Sequence, residues 1–155
     1  MNINWTLLGF SELNAAQLYE LLQLRMEVFV VEQNCPYQDA DGKDVSAFHL
    51  LGYSEENRLI ACARILPAGL SFAEASIGRV CTSSLARKTG AGKELMKQAI
   101  AWILQTYGPV PIRIGAQSYL LRFYSGLGFE VVSSEYLEDG IPHLEMLLLT
   151  RHNDL

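Results

Sequence analysis

One short stretch limits what this chain can fold into more than any other. An apolar run, residues 75–81, reads as a strand, and a helical pattern covers residues 93–104. Between them lies Arg87-Lys88-Thr89-Gly90-Ala91-Gly92, a tight glycine turn feeding a helix N-terminus. Such a terminus leaves about four backbone N–H groups without intrahelical partners. It also carries about half a positive charge from the macrodipole. Glycine lets the backbone approach an anion closely, so the turn can hold a phosphate or pyrophosphate. The dinucleotide fingerprint G-x-G-x-x-G and the P-loop G-x-x-x-x-G-K-[ST] are both absent. The competing account is an ordinary strand–helix turn punctuated by glycine.

The flanking chain supplies the rest of a layered fold. Residues 2–9 alternate loosely, as a first strand does. Asn14 and Gln17 have capping-box spacing, with Leu13 and Leu18 at the staple positions. Leu18, Leu21, Leu22, Arg25, Val28 and Phe29 then recur at helical spacing, which predicts a helix ending near Glu32. Residues 33–44 are polar and broken by Pro36 and Gly42. A loop this long inside a compact domain is often functional, though a solvated surface loop is the plainer account.

Two strands, residues 48–53 and 58–66, follow as a hairpin. After the 93–104 helix, residues 111–117 read as a buried strand, 118–125 as a short helix and 128–132 as a strand. Asp139-Gly140 is a type I′ turn candidate before a closing strand, 143–149. The order is β-α-β-β-β-α-β-α-β-β, an α/β domain with a central mixed sheet and helices on both faces.

Composition narrows the function classes. At 155 residues, half of them hydrophobic, residues 1–155 fit one domain with a real core. A net charge of −5 argues against nucleic-acid binding. No apolar run approaches the roughly 18 residues of a membrane span. The first residues lack the features of a signal peptide, so a cytoplasmic protein without membrane partners is the expectation. Cys35, Cys62 and Cys81 are widely spaced and contain no C-x-x-C, so no metal site is expected. Oligomeric state is not written in the sequence; a homodimer is one arrangement it allows.

The R-x-x-G-x-G of Arg87–Gly92 resembles the pyrophosphate motif of the GNAT superfamily of N-acetyltransferases. Phe123-Tyr124-Ser125-Gly126-Leu127-Gly128-Phe129 resembles the F-Y-x-x-x-G-F element that closes those domains, at the expected distance. The likeness covers almost the whole chain. Within the superfamily, residues 29–39, 77–80, 115–117 and 138–143 are similar to the ElaA subgroup, which has no assigned acceptor.

That resemblance implies acetyl-CoA as cofactor and direct transfer of an acetyl group to an amine. A catalytically silent acyl-CoA-binding module is the alternative. Backbone groups of Thr89, Gly90, Ala91, Gly92 and Lys93 would face the pyrophosphate, with charge from Arg87 and Lys88. Val80 and Thr82 would pair with the pantetheine arm, an N–H near Val80 or Cys81 would meet the thioester oxygen, and Gln117 would contact the cofactor.

Tyr124 is the implied general acid. A tyrosine pKa near 10 lies above a thiol near 8.5, so this donation depends on positioning. Several GNAT enzymes carry a glutamate base on the strand before the loop, and Ile77-Gly78-Arg79-Val80-Cys81-Thr82 offers none. Glu32, Asp39, Asp41, His49 and His143, or a water chain in place of any of them, are the alternatives, with His143 preferred because histidine titrates in the working range. Cys81 as a nucleophile needs a basic neighbour, and none is identifiable.

The amine side falls to the 33–44 loop and the late turn. Glu32, Tyr37, Asp39 and Asp41 are the expected acceptor contacts. Glu32, Asp39, Asp41, Asp44, Glu138, Asp139 and Glu145 outnumber Lys43 and His143 there. A negative cleft concentrates cations, so a cationic amine, small or peptide-borne, is the expected acceptor.

Overall fold

The computed structural model describes residues 2–150. Its elements are β1 (Asn4–Gly9), α1 (Ala15–Arg25), β2 (Phe48–Tyr53), β3 (Leu59–Leu66), β4 (Ser76–Thr82) and α2 (Ala91–Tyr107). Then come β5 (Ile112–Gln117), α3 (Leu121–Gly126), β6 (Glu130–Val131), β7 (Tyr136–Glu138) and β8 (Ile141–Leu148). The predicted order holds with one addition. Strand β7 is three exposed residues, too short for an alternating pattern to announce it.

Helix α1 starts as its cap predicts: Asn14 Oδ1 accepts from the Gln17 N–H at 2.8 Å, and Gln17 Oε1 accepts from the Asn14 N–H at 3.0 Å. It does not run as α-helix to Glu32. At Met26 it widens into a π-helical segment, Met26–Glu32, that delivers Glu32 to the mouth of a cavity described below. The Asp139-Gly140 turn has φ of 51° and 78°, the two left-handed residues a type I′ turn requires.

Strand β3 is buried along its whole length and shows how the layers are made. Its residues alternate faces. Ala61, Ala63 and Ile65 join the cluster that receives Leu95, Met96, Ala99 and Ile103 of α2, all four fully buried. Cys62 turns to the opposite cluster, against Leu21, Leu24 and Val28. Helices therefore cover both faces of this sheet.

The strands form two antiparallel sheets, β1-β2-β3-β4 and β5-β8-β6, with β7 also paired to β8. Between β4 and β5 the connection is one parallel bridge, Ala75 to Ile112, with the Arg113 N–H donating to the Ala75 carbonyl at 2.9 Å. The mixed character of the fold rests on that single link. Beyond it the two strands diverge, and the fork between them is the candidate site.

Candidate active site

The fork holds an open cavity of about 1250 Å³. Gly78, Val80 and Thr82 of β4 line one wall, and Gly115, Gln117, Phe123 and Tyr124 line the other. The 33–44 loop and the β7–β8 turn close in from the side, where the Cys35 thiol donates to the Asp139 carbonyl at 3.4 Å.

The β4 wall is bulged. Cys62 opposes Cys81 and Arg64 opposes Gly78, so Ala63 alone faces both Arg79 and Val80. Two residues against one is a β-bulge, which leaves one residue out of the ladder. Arg79 takes φ +48°, a left-handed conformation unusual outside glycine.

The phosphate-type loop is built as its glycines suggest. Gly90 caps α2 with φ +87°, and Lys88 is also left-handed at φ +62°. The Thr89 hydroxyl donates to the Ala86 carbonyl, and the Ala91 N–H lies 3.4 Å from Thr89 Oγ1. The first bond of α2 runs from the Glu94 N–H to the Gly90 carbonyl. The N–H groups of Gly92 and Lys93 precede it and belong to the orphan set of a helix start. A Cβ built on Gly92 would meet only Phe123, at 3.7 Å, so backbone approach there is open.

Of the expected cofactor residues, Val80, Thr82, Arg87, Gly92 and Gln117 line the cavity. Lys88, Thr89, Gly90 and Lys93 sit exposed around the loop, and Ala91 is buried beneath it. Arg87 is engaged within the protein, with Glu32 and with the Thr82 carbonyl. Gln117 pairs reciprocally with Gln33, amide to amide, at 3.1 and 3.3 Å, which ties the end of β5 to the end of the π-helical segment.

Tyr124 and His143 open on the same cavity. The Tyr124 ring is held edge-on by Phe123 and Phe129, with centroids at 5.0 and 6.0 Å. Burial raises its pKa, so the phenol keeps its proton across the working range. His143 lies opposite Gln117 on β5 and Tyr136 on β7. Its Nδ1–H donates to the Ile141 carbonyl at 2.7 Å, which assigns the tautomer. Nε2 is then the basic atom, and Glu138 Oε2 stands 3.4 Å from it. His49, the other histidine weighed as base, is fully buried outside the cavity, and burial lowers its pKa.

Cys81 lines the cavity with its sulfur 3.3 Å from that of Cys62. The Cys62 contact, reinforced by burial, pushes the Cys81 thiol well up. A thiol held protonated is a poor nucleophile, so an acyl-cysteine route has no support here.

The acceptor side departs from expectation. Arg25 sits among the apolar residues of α1 and is 1 % exposed. Its Nε donates to Asp39 Oδ2 and its Nη1 to Asp44 Oδ1, both at 2.8 Å. Arg64 binds Asp41 through two nitrogens at 2.8 and 3.0 Å and Asp44 at 3.0 Å. Arg79 Nε reaches Asp39 Oδ1 at 2.8 Å. Burial by itself would raise the Asp41 and Asp44 carboxyls, but hydrogen bonds from Arg64 to Asp41 and from Arg25 to Asp44 outweigh it and hold both below the usual range.

Two expectations fall with this network. Asp39 is 5 % exposed and its carboxylate is taken by Arg25, Arg79 and Tyr37, so it is internal structure and not an acceptor contact. The negative sign of the loop is also wrong, because Arg25, Arg64 and Arg79 match Asp39, Asp41 and Asp44. Glu32, Tyr37 and Asp41 do line the cavity, Glu32 paired with Arg87. Of the carboxylates that line the cavity, those without an arginine partner among the described residues are Glu138, Asp139 and Glu145, on the His143 side. One signal could have exposed the network: Arg25 stands in an otherwise apolar helical stripe, and a buried arginine requires partners.

Comparison with known proteins follows the same outline. A family model described as "Acetyltransferase (GNAT) domain" matches residues 14–150. Protein ElaA of Escherichia coli is 44% identical over 146 residues, 93% of this chain and 95% of that protein. The crystal structure of Escherichia coli ElaA superposes with a TM-score of 0.88 at 43% identity, covering 95% of this chain and 99% of that one. A Pseudomonas aeruginosa structure, described as an acyl-CoA N-acyltransferase, gives a TM-score of 0.89 at 40% identity with the same coverage.

Proposed function

The chain belongs to the GNAT acetyltransferase family, and on that premise we propose that it transfers an acetyl group from acetyl-CoA directly to a primary amine. The observation that carries this reading is convergence. A glycine-capped helix start, a bulged strand, a buried tyrosine and a tautomer-fixed histidine all face one cavity. The donor set fits the ligand: the Gly92 and Lys93 N–H groups with the α2 dipole suit a pyrophosphate. The fork between β4 and β5 offers an unpaired strand edge to the amide-bearing arm. Acetyl-CoA supplies the acyl group as a thioester and leaves as the free thiol.

The residues divide the remaining work. The Val80 N–H, which sits on the bulge, receives the negative charge that develops on the acyl oxygen. His143 Nε2 takes the proton from the attacking amine, and Glu138 stabilises the imidazolium that results. Tyr124 returns a proton to the departing sulfur. His143 thus supplies the base that β4 lacks. The amine enters beside the β7–β8 turn, where Glu138, Asp139 and Glu145 favour a cationic acceptor. That reading stands on these three carboxylates and not on the arginine-matched loop.

The test is thiol release from acetyl-CoA against a panel of cationic, neutral and anionic primary amines. Turnover with a cationic amine is expected, and Tyr124→Phe should lower kcat by about 10²–10⁴-fold with coenzyme A affinity unchanged. Coenzyme A binding with no thiol release on any amine would favour the silent module instead. Absence of binding at millimolar coenzyme A would remove both readings.

A further inference from the structure

We propose that Asp39 is a positioning residue for acyl transfer: it acts through Arg79 to hold the Val80 N–H toward the acyl oxygen. This rests on the role given to Val80 above. The starting observation is backbone conformation. Arg79 occupies the left-handed region at φ +48° in the middle of a strand. A residue with a Cβ persists there only when its surroundings over-determine it. Glycine would take this conformation without strain, so the arginine side chain must contribute something that glycine lacks.

That contribution is a clamp. Arg79 Nε donates to Asp39 Oδ1 at 2.8 Å, and Nη2 donates to the Asp39 carbonyl at 3.1 Å. The Tyr37 ring packs against the guanidinium, with Cζ 5.6 Å from the ring centroid. Asp39 is itself anchored: Arg25 Nε holds Oδ2 at 2.8 Å, Arg25 Nη2 holds the carbonyl at 3.2 Å, and the Tyr37 hydroxyl donates to Oδ1 at 3.1 Å. Arg25 belongs to α1, which is packed on the opposite face of the sheet from α2. The bulge is therefore fixed from a helix behind the sheet, through one carboxylate that lines no part of the cavity.

The consequence for chemistry follows from the peptide link. The Arg79–Val80 peptide plane carries the Val80 N–H, and its orientation is set by ψ of Arg79 and φ of Val80. If Arg79 relaxes to an extended conformation, that plane turns and the N–H leaves the acyl oxygen. Cofactor affinity, which is set mainly at the α2 terminus, should fall far less than kcat. Asp39 thus governs kcat without touching a reactant.

The experiment uses Arg79→Ala, Arg79→Gly, Asp39→Asn and the double variant Asp39→Asn/Arg79→Gly. Removing one oxyanion donor costs about 10²–10³-fold in kcat, so Arg79→Ala and Asp39→Asn should approach a loss of about 10²-fold, with coenzyme A affinity falling far less. Arg79→Gly should keep most of the wild-type kcat, because glycine holds the left-handed conformation without the clamp. Glycine should likewise recover activity in the double variant relative to Asp39→Asn. A role in stability alone would not give this pattern, since Arg79→Gly removes the same ion pair as Arg79→Ala. The idea is overturned if Arg79→Ala keeps full kcat, or if Arg79→Gly falls with it. The Val80 amide resonance gives a readout without catalysis: it should move in Arg79→Ala and Asp39→Asn and stay in Arg79→Gly. If the wild type transfers to no amine, the mechanism above fails, and this resonance alone decides whether the clamp exists. An unmoved resonance in Arg79→Ala would dismiss the clamp.

Discussion

The two ends of the cavity are built from different material. At the α2 end the groups proposed to work are backbone: the N–H groups after Gly90, an open Gly92, a bulged strand. At the other end they are side chains, and most are committed to one another. Arg25, Arg64 and Arg79 hold Asp39, Asp41 and Asp44 in a lattice that is buried at Arg25, Asp39, Asp44 and Arg64. Backbone groups are supplied by any residue that adopts the right conformation, so the α2 end tolerates substitution where conformation is kept. The charged lattice tolerates little, because each buried ion depends on its partner.

The sharpest way to break this contrast is Arg25→Met. It should leave Asp39 and Asp44 short of a partner and cost about 3–5 kcal/mol of stability, read as a lower urea midpoint with unchanged slope. A loss below about 1 kcal/mol, the range of exposed pairs, would mean the lattice is not what holds the loop. Next in size is Gly92→Asp at the other end. An aspartate in the first turn of α2 suits the helix dipole, so stability should hold or rise slightly. The same charge occupies the anion position, and coenzyme A affinity should fall about tenfold or more, equal to about 1.4 kcal/mol. Gly90→Asp is a poorer probe, because φ +87° strains any side chain there. Calorimetry on a folded Gly92→Asp protein with wild-type affinity would move the pyrophosphate elsewhere.

The smallest effect is in acid. Asp41 and Asp44 have folded-state pKa values below the unfolded carboxylate value of about 3.9. Their contribution to stability is complete above that value and is lost as pH falls through the lower, folded values. The share of stability that Asp41 and Asp44 supply should therefore be flat near pH 6, where buried His49 alone adds a decline as pH falls through the unfolded histidine value of about 6.5, and should begin to drop below about pH 4. The drop should be smaller in Asp41→Asn than in the wild type, as thermal melts across pH would show. An equal drop in both would remove Asp41 from the acid response.

The same contrast explains what could be read from the chain. Glycine at 90 and 92, the helical stripe of α2 and the Asp139-Gly140 turn are local features, and local features leave local signatures. The two-sided packing and nearly every strand came from periodicity for that reason. The pairing of Arg25 with Asp39 and Asp44, 14 and 19 residues away, leaves no spacing pattern. Counting acidic residues in the 33–44 loop therefore gave the wrong sign, since the neutralising arginines lie on α1, β3 and β4. The bulge at Arg79 was hidden too: nothing in Gly78-Arg79-Val80 says which residue leaves the ladder. His143 could be named from the sequence as a candidate base, but its fixed tautomer depends on the Ile141 carbonyl, a contact only the turn creates.

Strand order adds a consequence in time. In the sheet β5-β8-β6, with β7 on the same strand, the middle member is β8, which is made last. Strands β1 to β4 can pair as soon as residue 82 has left the ribosome, whereas β5, β6 and β7 have no partner in their own sheet until β8 emerges. The N-terminal half of the cavity, with its bulge and loop, can thus exist early as a half-site lacking His143 and any wall opposite β4. Synthesis of β8 completes the second sheet and brings His143 into place in the same step. A nascent chain stalled before Ile141 would therefore carry the β4 wall of the cavity without the wall that faces it.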